Sequence, residues 1–217
     1  MIKQLLAAGL MALSLAANAQ ATLGSNLIVN GDAEQGVAGW TGFDGYSMFQ
    51  SVEYGSNWVL PTQPGPTNRG AMMFTGLTAQ AAGFQTLSLG ELAGQALHFE
   101  LSGYLGGWAA QGDNALLYVS FLDAADNEIG HAVIGPVTPA DRGNQTGLFL
   151  RTASGELPAA TASLMFSLSM ERQGGGDNDG YADNLSFVIS SVPEAGTLVQ
   201  LLAGLALLGT LLARRRG

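Results

Sequence analysis

The sequence predicts an all-β protein: a β-sandwich jelly roll with a signal peptide before it and a transmembrane helix after it. Three observations carry this. Apolar and polar residues alternate with a period of two through most of the middle of the chain. Glycine and aspartate punctuate those stretches, and 31 of the 217 residues are glycine, which suits many tight turns. The two ends read as uncharged apolar segments flanked by basic residues.

The first segment, 1–19, has one basic residue, Lys3, then an apolar run over 5–16, then Ala17-Asn18-Ala19. That order is a secretory signal peptide cleaved after Ala19, or after Ala21. The folded domain is expected over 22–190. Strands are predicted at "NLIVNG", "GAMMFTG" and "GFQTLSL". "ALHFELSGYL" places Leu97, Phe99 and Leu101 on one face, with His98, Glu100 and Ser102 on the other. "ALLYVSFLDA" is apolar on both faces, as a central strand is. Asp126-Asn127 then forms a turn, and "EIGHAVIG" is its hairpin partner. "GLFLRTA" adds another strand. "SLMFSLSME" points Leu164, Phe166, Leu168 and Met170 inward and Ser163, Ser167 and Ser169 outward; "NLSFVIS" does the same with Leu185, Phe187 and Ile189. The longest irregular loop is "YGSNWVLPTQPGPTNR", and long loops on a rigid sandwich are where binding residues tend to sit.

The last segment, 191–217, opens on Val192-Pro193-Glu194. It continues through 18 uncharged residues, 196–213, and ends on Arg214, Arg215, Arg216 and a glycine. Eighteen residues are near the lower limit for spanning a bilayer core, and the arginines act as a cytoplasmic stop. Val-Pro-Glu, an apolar helix and a terminal Arg cluster together resemble the PEP-CTERM sorting signal of Gram-negative bacteria. The resemblance implies an exosortase-type protease as partner, a temporary membrane anchor, and delivery to the cell surface or extracellular matrix. Ala195 stands where that signal usually has a second proline.

Charge narrows the function. The span 22–190 holds sixteen acidic residues and four arginines (Arg69, Arg142, Arg151, Arg172) and no lysine, a net of −12. Such a field repels phosphate backbones, so nucleic acid is not an expected partner. The chain has no cysteine, so thiolate chemistry is excluded and any metal must take oxygen or His ligands. The sequence lacks Gly-x-Ser-x-Gly, His-Glu-x-x-His and a phosphate-binding glycine loop before a helix. The expectation is a protein that is not an enzyme. A hydrolase with paired carboxylates is the weaker alternative.

Aromatic rings pack on the apolar face of a pyranose while amides and acids bond its hydroxyls. On that ground Trp58 in the long loop, Trp108 in "LGGWAAQGDN", Tyr104 and Asn114 are the candidate ligand-binding residues. Tyr46, Tyr54, Gln111, Arg142 and Arg172 are further possibilities. Trp40 is expected in the core, and the arginines in ion pairs with Asp141, Glu156 or Glu171.

"NLIVNGDAEQGVAGW" and "RQGGGDNDGYADNLSFVI" resemble the opening and closing strands of carbohydrate-binding modules of the family 4/9/22 type. Those modules have a galactose-binding-domain-like jelly roll. The resemblance spans about 26–190. It implies a polysaccharide partner and a structural calcium ion stapling the first and last strands. Glu34 and Asp183 match the family's ligand positions, with Asp32 and the carbonyls of Gly31 or Asp32 as contributors; Asp177 and Asp179 are further candidates for part of the same site, though "DNDGYAD" is not an EF-hand loop. The expected function is non-catalytic exopolysaccharide binding by an exported protein of the envelope or biofilm matrix. A structural matrix protein without glycan binding is the rival.

Overall fold

The computed structural model describes residues 20–55 and 57–192. The signal peptide, Pro193, Glu194, the apolar segment 196–213 and Arg214, Arg215 and Arg216 lie outside the described residues. Ten strands are present among those described: β1 (Thr41–Gly42), β2 (Gln50–Glu53), β3 (Met72–Thr75), β4 (Gln80–Ser88), β5 (Leu97–Gly107), β6 (Asn114–Leu122), β7 (Glu128–Ile134), β8 (Gly147–Glu156), β9 (Ser163–Glu171) and β10 (Tyr181–Ser191). One 3-10 turn, Gly90–Leu92, follows β4. None of the described residues forms a helix long and apolar enough to cross a membrane.

The strands form two five-stranded antiparallel sheets packed as a jelly-roll sandwich. The front sheet has the order β2-β3-β10-β5-β8 and the back sheet β1-β4-β9-β6-β7. The alternation read from the sequence sets which side chains meet between them. Leu97, Phe99 and Leu101 of β5, Leu164, Phe166 and Leu168 of β9, and Phe187 and Ile189 of β10 are all buried there. Phe187 is stacked on Phe99 at 5.4 Å and packs against Phe166, also at 5.4 Å. Trp40, Phe49 and Phe74 form a second edge-to-face group, so Trp40 is a core residue as expected. The β6–β7 hairpin turns where predicted: Asp123 Oδ1 accepts from the N–H of Ala125 and of Asn127, and Asp126 takes φ 62°.

The opening "NLIVNG" is not a strand. Only Asn26 bridges to Val188, and the chain then runs through turns. Asn30, Ala33, Gly36 and Gly39 all have positive φ, which regular strand backbone does not adopt. The Asn26 side chain does a strand's work: Nδ2 donates to the Leu185 carbonyl, and Oδ1 accepts from the N–H of Ile28 and of Phe187. First and last segments are therefore joined, through this side chain and through three backbone bonds: the N–H of Gly24 donates to Ile189, that of Leu27 to Phe187, and that of Leu185 to Gly31. Beside this junction β10 bulges between Asp183 and Ser186.

Candidate functional site

The outer face of the front sheet is where most of the predicted site residues gather. Ala182, Leu185 and Phe187 of β10 face the main core, so Tyr181 and Asp183 face outward. Tyr104 of β5 lies opposite Asp183, and Leu148 of β8 opposite Gly106. The loop 54–71 folds over this face. Val59, Met73, Leu148 and Tyr181 form a second, smaller apolar cluster, and Tyr54, Trp58, Tyr104 and Trp108 pack against it half-buried. The Trp58 ring meets Tyr181 edge-on at 6.3 Å. Arg69 holds the loop together by donating to the carbonyls of Leu60, Gln63 and Pro66, with its guanidinium 5.0 Å from the centre of the Tyr54 ring.

The three acids matched to a metal site come to the rim of this face from two segments, Asp32 and Glu34 from the opening turns and Asp183 from β10. Asp183 is fully buried; Oδ2 accepts from the Tyr54 hydroxyl at 2.5 Å and Oδ1 from its neighbour's N–H, that of Asn184, at 2.7 Å. Burial pushes its carboxyl up to about 7 against the pull of those two hydrogen bonds, and the charges of Asp32 and Glu34 push the same way. Burial and the Asp183 charge likewise push the Tyr54 hydroxyl up. Glu34 Oε1 accepts from the N–H of Ala71 and of Met72, at 2.7 and 2.8 Å. Gly70 makes this approach possible: its φ is 63°, and a Cβ there would sit 2.2 Å from Glu34 Oε1. Asp32 is exposed. Among the described residues no group of three or more His, Asp or Glu side chains is arranged to hold a metal by itself. The donor chemistry still suits a hard cation: oxygen ligands on irregular backbone, and a buried carboxyl whose two partners are both uncharged.

Next to the bulge is a recess of about 510 Å³ whose lining includes Asn30, Asp32, Gln35, Asn68, Tyr104, Asn184 and Ser186. Asn30 is fully committed to backbone partners (Gly36, Ala38 and Gln35), and Asn184 donates to Asn68. A second recess, also about 510 Å³, lies beside Tyr54, Asn57 and Trp58. Both are open, polar and furnished with an aromatic ring.

A charged hub that sequence reasoning missed positions Trp108. Arg142, 2 % exposed, donates to the carbonyls of Val137, Trp108 and Gln111. Asp141, expected to pair with one of the arginines, accepts from Thr138 and pairs with Arg151 at 3.6 Å, at the surface. Asp113, fully buried, accepts from the N–H of Gln173, Gly174 and Asp179. Asp179 in turn accepts from the Tyr181 hydroxyl at 2.7 Å, and burial pushes its carboxyl up. The loops 108–113, 135–146 and 172–180 are thus tied together. The one signal for Asp113 was its place in "QGDNALL", an acid immediately before a strand.

Trp58, Trp108 and Tyr104 therefore share one face. Asn114 does not join them. It opens β6 in the back sheet, and because Ala115 and Leu117 face the core, Asn114 points to that sheet's outer side. Its amide donates to the Gly112 carbonyl. Of the sorting motif only Val192 is described; its N–H donates to Ala96 at the end of β10.

No protein-family model matches the chain. No curated protein matches it either. Among solved structures, the fold is similar to a family 16 carbohydrate-binding module. The identity is 24 %, covering 75 % of this chain and 99 % of that one, with a TM-score of 0.50. It is also similar to the enzymatically active domain of bacteriophage CBA120 tailspike protein 4. There the identity is 12 % and the TM-score 0.51, covering 76 % of this chain and 21 % of the tailspike chain, so this chain spans about a fifth of it. A third similar structure is the CBM22-1 xylan-binding domain of Paenibacillus barcinonensis Xyn10C, at 17 % identity and TM-score 0.47, covering 80 % of this chain and 99 % of that one. These likenesses concern the fold.

Proposed function

We propose that this protein is an exported, non-catalytic polysaccharide-binding module of the bacterial envelope or extracellular matrix. The observation that carries the reading is the outer face of the front sheet, where Trp58, Trp108, Tyr54 and Tyr104 gather on one small apolar cluster beside two polar recesses. Rings of this kind cover the C–H faces of sugar residues, and Gln35, Asn68, Asn184 and Ser186 are placed to bond hydroxyls. The loop 54–71 and the Arg142 hub hold the rings in place before ligand arrives, which lowers the ordering cost of binding. Acids without lysine favour a neutral or weakly charged glycan.

A structural calcium ion belongs to the same proposal. Asp183, Glu34 and Asp32 would hold it, with backbone carbonyls of the turn at Gly31 and Asp32. Bound there, the ion supplies positive charge to a buried carboxyl and staples the opening segment to β10. The signal peptide over 1–19 and the tail over 191–217, with its exosortase-type processing and brief membrane anchorage, supply the route out of the cell.

The test is binding of the protein to a panel of soluble neutral and acidic polysaccharides in calcium buffer. Saturable binding to one class, lost in Trp58→Ala, Trp108→Ala and Tyr104→Ala, is the expected result. Unchanged binding in all three variants would remove the front face as the site, and no binding to any glycan would remove the function.

A further inference from the structure

Among the described residues β8 is the longest edge strand of the sandwich. The other edges are blunted: β1 has two residues, β2 has four, and β7 meets β6 through a bulge at Phe121 and Leu122. Pairing with β5 fixes which way the β8 backbone points. Leu157, one step beyond the Glu156–His98 pair, donates its N–H to the Leu97 carbonyl, so the odd-numbered residues of β8 bond to β5. The even-numbered ones turn their N–H and C=O groups away from the sheet. Leu148 gives its outward N–H to the Pro64 carbonyl. The outward N–H groups of Leu150, Thr152, Ser154 and Glu156 have no protein acceptor among the described residues, and all four residues are exposed. Arg151 Nη1 reaches round to the Leu150 carbonyl at 3.1 Å. The strand holds no proline or lysine; Pro158, which has no N–H to offer, ends the open run.

We infer that β8 is a dimerisation edge. It pairs antiparallel with β8 of a second copy about a two-fold axis, so that two five-stranded front sheets become one of ten strands. The register follows from the ends of the open run. Outward-facing residues must lie opposite one another; Leu148 is already engaged and Pro158 has no donor. One register pairs all four free residues: Leu150 opposite the partner's Glu156, and Thr152 opposite the partner's Ser154. Ala153 then meets its own copy across the axis. The Leu150 carbonyl accepts a second bond beside that of Arg151. Threonine opposite serine is a favourable sheet pair, and no like charges meet. Arg151, held at the Leu150 carbonyl, comes beside the partner's Glu156, a charge pair made twice by the symmetry. The partner's Gly155 stands opposite Arg151 and puts no side chain in its way. This match of the strand to itself selects a second copy over an unrelated strand. The inference is independent of the glycan reading, and it sets two front faces side by side.

The experiment uses the full chain in detergent, with sedimentation giving the mass of the protein part. Wild type is expected to be a dimer. Ser154→Pro removes an outward N–H that the monomer does not use, so the β5–β8 ladder keeps its bonds. Two bonds per dimer are lost, and the dissociation constant of the dimer should rise about 30-fold or more at an unchanged melting temperature. Ala153→Cys carries the test if the proline variant fails to fold. The chain has no cysteine, so oxidation can join Ala153→Cys only to a second copy. A covalent dimer from Ala153→Cys, with none from Ser190→Cys on β10, is the expected result. A monomeric wild type overturns the inference and leaves the edge to a strand of another protein. A dimer that persists in Ser154→Pro, and that Ala153→Cys does not cross-link, overturns it too and puts the association elsewhere in the chain. Both of these outcomes leave the front-face reading standing.

Discussion

Asp113 is the residue whose loss the structure prices most directly. Its carboxylate is fully buried, and Oδ1 accepts from the N–H of Gln173 at 2.7 Å and of Gly174 at 2.8 Å, while Oδ2 accepts from Asp179 N–H at 2.9 Å. Its charge also supports Arg142, which burial otherwise disfavours as a cation. Asp113→Ala leaves three backbone donors without a partner and the Arg142 charge less compensated. A buried group stripped of its partner costs roughly 1–3 kcal/mol, and a broken buried charge pair roughly 3–5 kcal/mol. Water reaching the 172–180 loop recovers part of this, so the expected loss is about 3–5 kcal/mol. Asp113→Asn keeps one oxygen for Gln173 and Gly174 but turns an NH₂ toward the Asp179 N–H, two donors face to face; the expected loss is about 2–3 kcal/mol. Urea unfolding measures both, the variants shifting the midpoint down with m unchanged. Hydrogen exchange should speed up first at the amides of Gln173, Gly174 and Asp179. A stability loss below about 1 kcal/mol in Asp113→Ala, at constant m, would refute the hub as the tie between these loops.

Asp183 binds its proton more tightly folded than unfolded, so its contribution to stability is full below about pH 4 and falls as pH rises toward about 7. Melting in chelator across that window should show the decline, and Asp183→Asn should flatten it. Calcium added at neutral pH should raise the melting temperature, by an amount corresponding to about 2.7 kcal/mol when it stands at 100 times its Kd; Glu34→Gln should lose that gain, and equal melting with calcium and chelator would remove the metal site. Phe187→Ala empties the centre of the Phe99–Phe121–Phe166 group, and should cost about 3–5 kcal/mol in urea unfolding without altering glycan affinity per folded molecule.

The strands with strict alternation could be read from the sequence because one face of each is buried and the other is not. Leu164, Phe166, Leu168 and Met170 are buried and Ser163, Ser167 and Ser169 are not, as the pattern demands. "NLIVNG" misled because its apolar residues are used without alternation: Leu27 and Ile28 are both buried, and the Asn26 side chain shares the bonds to β10 with the backbone of Leu27 and Gly31. β2, "QSVE", carries too little apolar signal to be seen alone; it exists because β3 beside it offers an edge. Trp58, Trp108 and Tyr104 could be nominated by residue type. That they share a cluster, and that Asn114 faces the other way, depends on which sheet each strand joins, and alternation within a strand carries no information about that.

The two fully buried aspartates show why a calcium site is sought at one place and not at the other. Asp113 faces three backbone N–H groups, with a buried arginine supplying opposite charge, so the protein answers its charge internally. Asp183 faces a tyrosine hydroxyl and one N–H, and its charged neighbours on the opening segment are two more acids. A domain with four arginines and sixteen acids cannot compensate every buried carboxylate from its own side chains. A site left short of positive charge either keeps its proton or recruits a cation. At neutral pH the first option weakens as the carboxyl begins to ionise. The second then stabilises the very junction, Asn26 to β10, that the opening segment fails to secure by strand pairing. Metal-dependent stability confined to Asp183, Glu34 and Asp32, with Asp113 variants destabilised equally in calcium and in chelator, is the pattern this division of labour requires.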